Sequence, residues 1–223
     1  MKTKQFAVIG MGRFGSSVAM SLYKLGYEVL AIDSSEQRMQ DVSGMVTHAV
    51  QADSTDEEAL RALGIRNFDV VVVAIGQDIQ SSILTTLILK DMGVPLLVVK
   101  AQTDLHGKVL KKIGADKVIF PERDMGLRVA HNLISPNILD FIELSDDYSI
   151  VELKAAPSMI GQTLRALDIR AKFGCNVMAL KTGDKMNISP NADDLIKADD
   201  ILIVVGENDQ LRHLERAYGE AGR

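Results

Sequence analysis

An apolar run that breaks on three closely spaced glycines constrains this chain more than any other feature. Phe6-Ala7-Val8-Ile9 enters Gly10-Met11-Gly12-Arg13-Phe14-Gly15, a helical pattern follows, and a second apolar run, Val29-Leu30-Ala31-Ile32, closes on Asp33. In a strand–turn–helix of this kind the first glycine permits the tight turn. The second lets backbone N–H groups approach a pyrophosphate, and the third lets the helix sit close to the sheet. The positive end of the helix then faces the phosphates. Asp33 suits a pair of ribose hydroxyls and repels a 2′-phosphate, which disfavours NADP. The pattern therefore predicts a nucleotide site.

The downstream sequence repeats the same alternation. Val18, Ala19, Leu22 and Leu25 share one helical face, and Gly26 ends that helix. Strands are expected at 28–32, 48–52, 70–75, 96–100 and 117–120, and helices at 35–44, 56–63, 79–91 and 105–113. Ser54 or Thr55 is expected to cap the helix at 56–63. Runs such as Val70-Val71-Val72-Val73 contain no polar residue, as a strand buried on both faces requires. Six β–α repeats over 1–122 predict a Rossmann-like, doubly wound parallel sheet.

Pro121 ends this series, and a helix is expected at 123–134. Ile138, Leu139, Phe141 and Ile142 then crowd what reads as a very short second helix. A helix apolar around most of its circumference must be covered by something. The segment 123–144 is therefore read as a crossover helix pair that dimerises, with a plain interdomain linker as the alternative. From 145 to 223 the pattern changes to a small α+β lobe. It has an alternating strand at 150–153, a short helix at 164–169, a hairpin at 175–188, a buried strand at 201–206 and a last helix from Asn208.

The composition removes several functions. The 223 residues carry a net charge of −5. It is spread evenly, with 15 basic against 19 acidic groups in 1–147 and 10 against 11 in 148–223. No basic face for a nucleic acid polymer is therefore expected. A single cysteine, Cys175, excludes an internal disulfide and fits a cytoplasmic protein. No apolar stretch approaches the length of a bilayer span.

Catalytic groupings are equally scarce. His48, His106, His131 and His213 stand apart, and the chain has neither a G-x-S-x-G elbow nor the GK[ST] of a P-loop. Hydrolysis of a bound nucleotide is not expected, and neither is any other enzymatic activity. Arg13 lies inside the phosphate loop, where a guanidinium can grip the outer phosphates of a triphosphate; a local cap is the other reading. Asp53 closes the third strand, either near an adenine or as a helix cap. Glu122, just after the sixth strand, could ligate a cation beside a phosphate, but spacing alone favours a solvated loop charge.

Several motifs in order carry a resemblance. Gly10-Met11-Gly12-Arg13-Phe14-Gly15, Ala52-Asp53-Ser54-Thr55, Val73-Ala74-Ile75-Gly76, Leu84-Thr85-Thr86-Leu87, Val99-Lys100-Ala101, Ile113-Gly114-Ala115-Asp116 and Pro121-Glu122-Arg123-Asp124-Met125 resemble the RCK (or KTN) regulatory subunits of Ktr-type bacterial potassium uptake systems. Asp168-Ile169-Arg170-Ala171-Lys172-Phe173-Gly174 and Ile188-Ser189-Pro190 resemble the C-terminal lobe of that family. The resemblance implies homodimers assembled into a cytoplasmic octameric ring that binds ATP or ADP and gates a separate potassium-translocating membrane subunit. It implies that Arg13 meets the γ-phosphate, Asp33 the ribose and Asp53 the adenine side. Phe14, Ser54, Ala74, Ile75, Gly76 and Lys100 join the glycines in the nucleotide site. It further implies a divalent cation, magnesium or calcium, on Glu122 at the dimer interface. Inhibitory cyclic di-AMP is implied near Arg170, Ala171, Asn176 and Pro190. A small NAD(H)-binding oxidoreductase or redox sensor is the competing expectation, favoured by Asp33 and disfavoured by the missing catalytic half.

Overall fold

A computed structural model describes residues 4–134, 138–145 and 147–219, and the chain divides into two compact units, 1–123 and 124–223. In the first unit β1 (Gln5–Ile9), α1 (Arg13–Lys24), β2 (Glu28–Asp33), α2 (Glu36–Val42), β3 (His48–Gln51) and α3 (Glu57–Ala62) are followed, after a short 3-10 turn, by β4 (Val70–Val73). Then come α4 (Ile79–Asp91), β5 (Leu97–Lys100), α5 (Asp104–Lys112) and β6 (Lys117–Ile119), and α6 (Pro121–Ile134) leads out of the unit. The strands form a parallel sheet in the order β3-β2-β1-β4-β5-β6.

Alternate strand residues feed two separate cores, as the unbroken apolar runs require. Ala7, Ile9, Leu30, Ile32, Val71 and Val73 pack with Leu60, Leu89 and Leu110 from α3, α4 and α5. Val8, Val29, Ala31, Val70 and Val72 pack on the opposite face with Ala19, Met39 and Val42 from α1 and α2. Ile9 is level with both Ile32 and Val73, so three strands end together where the chain order reverses. That is the edge at which such sheets bind ligands.

The second unit contains β7 (Ile138–Glu143), β8 (Tyr148–Lys154), α7 (Leu164–Leu167), α8 (Ile169–Phe173), β9 (Asn176–Thr182), β10 (Lys185–Asn187), β11 (Ile201–Glu207) and α9 (Asn208–Gly219). Its strands form an antiparallel sheet in the order β10-β9-β11-β8-β7. Leu153, Leu180, Leu202 and Val204 from the sheet and Leu211 and Leu214 from α9 share one core. Cys175 is fully buried there, and its thiol fills the space beside Gly206: a Cβ on that glycine would lie 2.8 Å from Sγ. Burial pushes this thiol up to about 11.

Three local expectations are corrected. The short helix expected at 138–142, and with it the helix pair, is not formed, because those residues are strand β7, paired antiparallel with β8. A short apolar run fits a strand face as well as a helix stripe, and here Ile138 is buried while Leu139 and Ile142 are exposed. The cap of α3 is Asp56, whose Oδ1 accepts from the N–H groups of Glu58 (2.9 Å) and Ala59 (3.3 Å), and not Ser54 or Thr55. Leu25, expected on the buried face of α1, lies just past the helix end and is exposed. The expected break at 135–137 lies outside the described residues.

His106 is a buried polar group in the first turn of α5. Its Nδ1 accepts a long hydrogen bond from the Gln102 N–H (3.4 Å), and Nε2 has no partner among the described residues. Burial lowers its pKa from 6.5, so the fold holds the neutral ring. As pH falls below that value the unfolded chain takes up a proton that the folded chain refuses. Stability is therefore full above about pH 6.5 and declines as the solution is acidified through that point. Thermal melts between about pH 7.5 and 5.5 are expected to show a larger loss of Tm for the native chain than for His106→Gln; equal losses would remove His106 as a source of acid sensitivity.

Candidate functional site

The glycine loop leaves β1 with Gly10 at φ +93°, the left-handed region that favours glycine. Its N–H donates to the Ile32 carbonyl at 2.8 Å, and a Cβ there would meet Ile75 N at 3.0 Å. Gly15 is the tightest position, since a Cβ would stand 1.9 Å from the Gly10 carbonyl oxygen and 3.0 Å from the Ala74 Cβ. Its small size thus lets α1 close onto the loop itself as well as onto the sheet edge. Gly12 differs, because a Cβ there would meet nothing within 4 Å. No protein atom demands glycine at this position, which leaves the space beside the loop open for something else.

The start of α1 supports that reading. Helices α2, α3, α4 and α5 are capped by the side chains of Ser35, Asp56, Asp78 and Thr103. Gly12 at the start of α1 offers no side-chain cap, and the first turn of α1 carries no acidic residue. The unpaired N–H groups and the positive end of the helix dipole are therefore left for an anion.

They face a cavity of about 810 Å³. Its walls include Gly10, Gly12, Arg13, Phe14, Asp33, Asp53, Ser54, Ala74, Ile75, Gly76, Lys100 and Glu122, so one space gathers these sequence-predicted residues from the ends of all six strands. Gly15 supports the loop from behind. Arg38, Gln77 and Gln102 also line it and were not singled out from sequence. Arg38 sits in the first turn of α2, five positions after Asp33; a cation one helical turn beyond a strand-end acid was the available signal.

The charges follow the strand order. Asp53 stands after β3 and Asp33 at the end of β2, on one side of the glycine loop, while Lys100 and Glu122 stand at the end of β5 and after β6, on the other. Asp33 is buried, and its Oδ2 accepts from the Met11 N–H at 2.6 Å and from Arg38 at 3.3 Å. Its Oδ1 accepts from the Ser35 N–H at 2.9 Å. This carboxylate pins the loop as well as facing the cavity. Asp53 Oδ1 accepts from the Thr55 N–H (2.9 Å) and hydroxyl (2.7 Å), and these bonds hold its carboxyl below the usual range. The Ser54 hydroxyl is 2.8 Å from Thr85 Oγ1 and fastens the end of β3 to α4.

Lys100 is buried, with Nζ 2.5 Å from Glu122 Oε1 and 5.7 Å from the centre of the Phe14 ring. The Glu122 carboxyl is lowered first by this hydrogen bond, with a contribution from the charge of Arg13. Helix α6 starts at Pro121, earlier than expected, which places Glu122 in its first turn. No cluster of three or more His, Cys, Asp or Glu side chains suited to a metal occurs among the described residues. Glu122 thus offers one carboxylate, already paired with Lys100.

In the second unit Arg170 and Ala171 lie exposed on α8, Asn176 lies exposed at the start of β9, and Pro190 is half-buried after β10. Asn187 opposite Leu180 sends the chain after β10 toward the Asn176 end of the hairpin.

Comparison with known proteins accounts for both units. Residues 6–121 match the TrkA-N domain and residues 148–219 the TrkA-C domain. The chain is 52% identical to Ktr system potassium uptake protein C of Bacillus subtilis, over 96% of each. It is 46% identical to Ktr system potassium uptake protein A of the same organism, over 96% of this chain and 97% of that one. Among solved structures, the GsuK RCK domain superposes with a TM-score of 0.68 at 16% identity. That likeness concerns the fold; it covers all of this chain, which spans about half (49%) of the GsuK chain. With both lobes matched in order along nearly the whole sequence, the chain belongs to the RCK family of Ktr potassium uptake proteins, of the KtrA/KtrC type.

Proposed function

We propose that this chain is a cytoplasmic, non-enzymatic regulatory subunit that binds ATP or ADP beside the glycine loop and gates a separate potassium-translocating membrane subunit. The observation that carries the reading is the uncapped start of α1, opening into a cavity with Arg13 and Lys100 in its walls. A switch needs a ligand that binds two states differently. A γ-phosphate held by Arg13 supplies such a difference, because ADP forfeits that contact. Charge-assisted hydrogen bonds contribute roughly 1.5–3 kcal/mol each, enough to shift a two-state population about tenfold or more per site.

Assembly into dimers and an octameric ring follows the family resemblance. Exposed Leu127 and Leu133 on α6 and Ile142 on β7 offer apolar surface for a second copy. A divalent cation would take Glu122 from this chain and the remainder of its ligands from nucleotide phosphates and the second copy. No helix among the described residues is long and apolar enough to cross a membrane, and this reading leaves the ion path to the membrane partner. Arg170, Ala171, Asn176 and Pro190 would receive cyclic di-AMP between two C-terminal lobes.

The buried Asp33 carboxylate at the end of β2 favours a second reading, an NAD(H) binder. Melting curves with ATP, ADP, NAD and NADH, with and without magnesium or calcium, separate the two. ATP and ADP are expected to raise the Tm most, and a larger rise with NADH would overturn the regulatory reading. In the same assay Arg13→Ala is expected to narrow the gap between ATP and ADP by about tenfold in affinity while ADP binding persists; an unchanged gap removes Arg13 from nucleotide discrimination. Calorimetry with cyclic di-AMP is expected to give heat that Arg170→Ala abolishes, and an absence of heat with the native chain withdraws the C-terminal site.

A further inference from the structure

We propose that Glu122 is a built-in stand-in for a phosphate group: it pairs with Lys100 in the cavity wall, and the phosphate of a nucleotide displaces it from that lysine. The inference rests on the nucleotide reading of that cavity and adds the group that opposes entry.

The pair is unequal in a way that decides which partner leaves. The Lys100 side chain is 9% exposed and that of Glu122 is 69% exposed, although they meet at 2.5 Å. A buried ammonium without a counter-anion is strongly unfavourable. An exposed carboxylate released into water loses little, because surface ion pairs contribute little. Lys100 thus needs an anion at all times, and the one it has is the one most easily exchanged. The ammonium also has room to accept another anion. It lines the cavity, and Gly76 faces it with no side chain: a Cβ there would stand 3.3 Å from Nζ.

Glu122 suits the part for two further reasons. It lies in the first turn of α6, where the helix dipole favours a negative charge in either position. Arg13 also adds its positive field at this carboxylate, so the group that would grip an outer phosphate already acts on the stand-in. A phosphate arriving between Arg13 and Lys100 takes over both cations. Without a divalent cation between them, a carboxylate left beside it would repel it.

Isothermal titration with ADP and with ATP, in EDTA so that no cation bridges the charges, tests the proposal on the full chain. Glu122→Gln is expected to bind ADP roughly tenfold more tightly than the native chain. Lys100→Met is expected to bind more weakly by a similar factor, and the gain from Glu122→Gln is expected to vanish in the Lys100→Met background. Glu28→Gln removes the same charge at the amino-terminal end of β2, away from the cavity, and is expected to change nothing. Equal or weaker binding by Glu122→Gln overturns the proposal. So does an equal gain from Glu28→Gln, or a gain that survives the loss of Lys100. If the native chain binds neither nucleotide, the functional reading fails with it; if the native chain binds and only the gain is missing, this inference fails alone.

Discussion

The close approach of α1 to the loop that precedes it is the contact on which the site depends. Where Gly15 would carry a Cβ, the carbonyl oxygen of Gly10 lies 1.9 Å away, so no other residue fits without moving the backbone. The approach aims the unpaired N–H groups of α1 across the carboxyl ends of the strands. Asp33 then locks the arrangement from the neighbouring strand by accepting the Met11 N–H. One buried carboxylate thereby ties the end of β2 to the loop after β1.

Around this cradle the parallel order of the strands sorts the charges. Asp33 at the end of β2 and Asp53 beyond β3 border one side of the glycine loop, and Lys100, with Glu122 against it, borders the other. The buried ammonium of Lys100 is not left bare there: it is paired with a carboxylate of its own chain, as a buried charge requires.

Much of this is legible in the sequence because it is local. The glycine spacing, the apolar runs and the strand-end acids each signal through a few neighbouring residues, and they place the loop, the sheet and Asp33. What sequence alone does not show depends on residues that meet across the fold. Lys100 and Glu122 are 22 positions apart, and their pairing exists because β5 and β6 lie side by side. Gly15 lets α1 approach the sheet edge at Ala74, as its spacing predicts, but the tighter contact, with the Gly10 carbonyl, shows only in the fold. The segment 138–142 misleads for a related reason: its apolar residues suit a helix or a strand, and β8 alongside decides the matter.

The thiol packed beside Gly206 has a practical consequence. A group pushed up to about 11 is protonated in any ordinary buffer, and Cys175 is fully covered besides. Maleimides and mild oxidants act on exposed thiolates, so the native cysteine is silent toward both. A reporter cysteine placed elsewhere on the surface could then be labelled selectively in the otherwise unaltered chain, without first removing the residue that fills the C-terminal core.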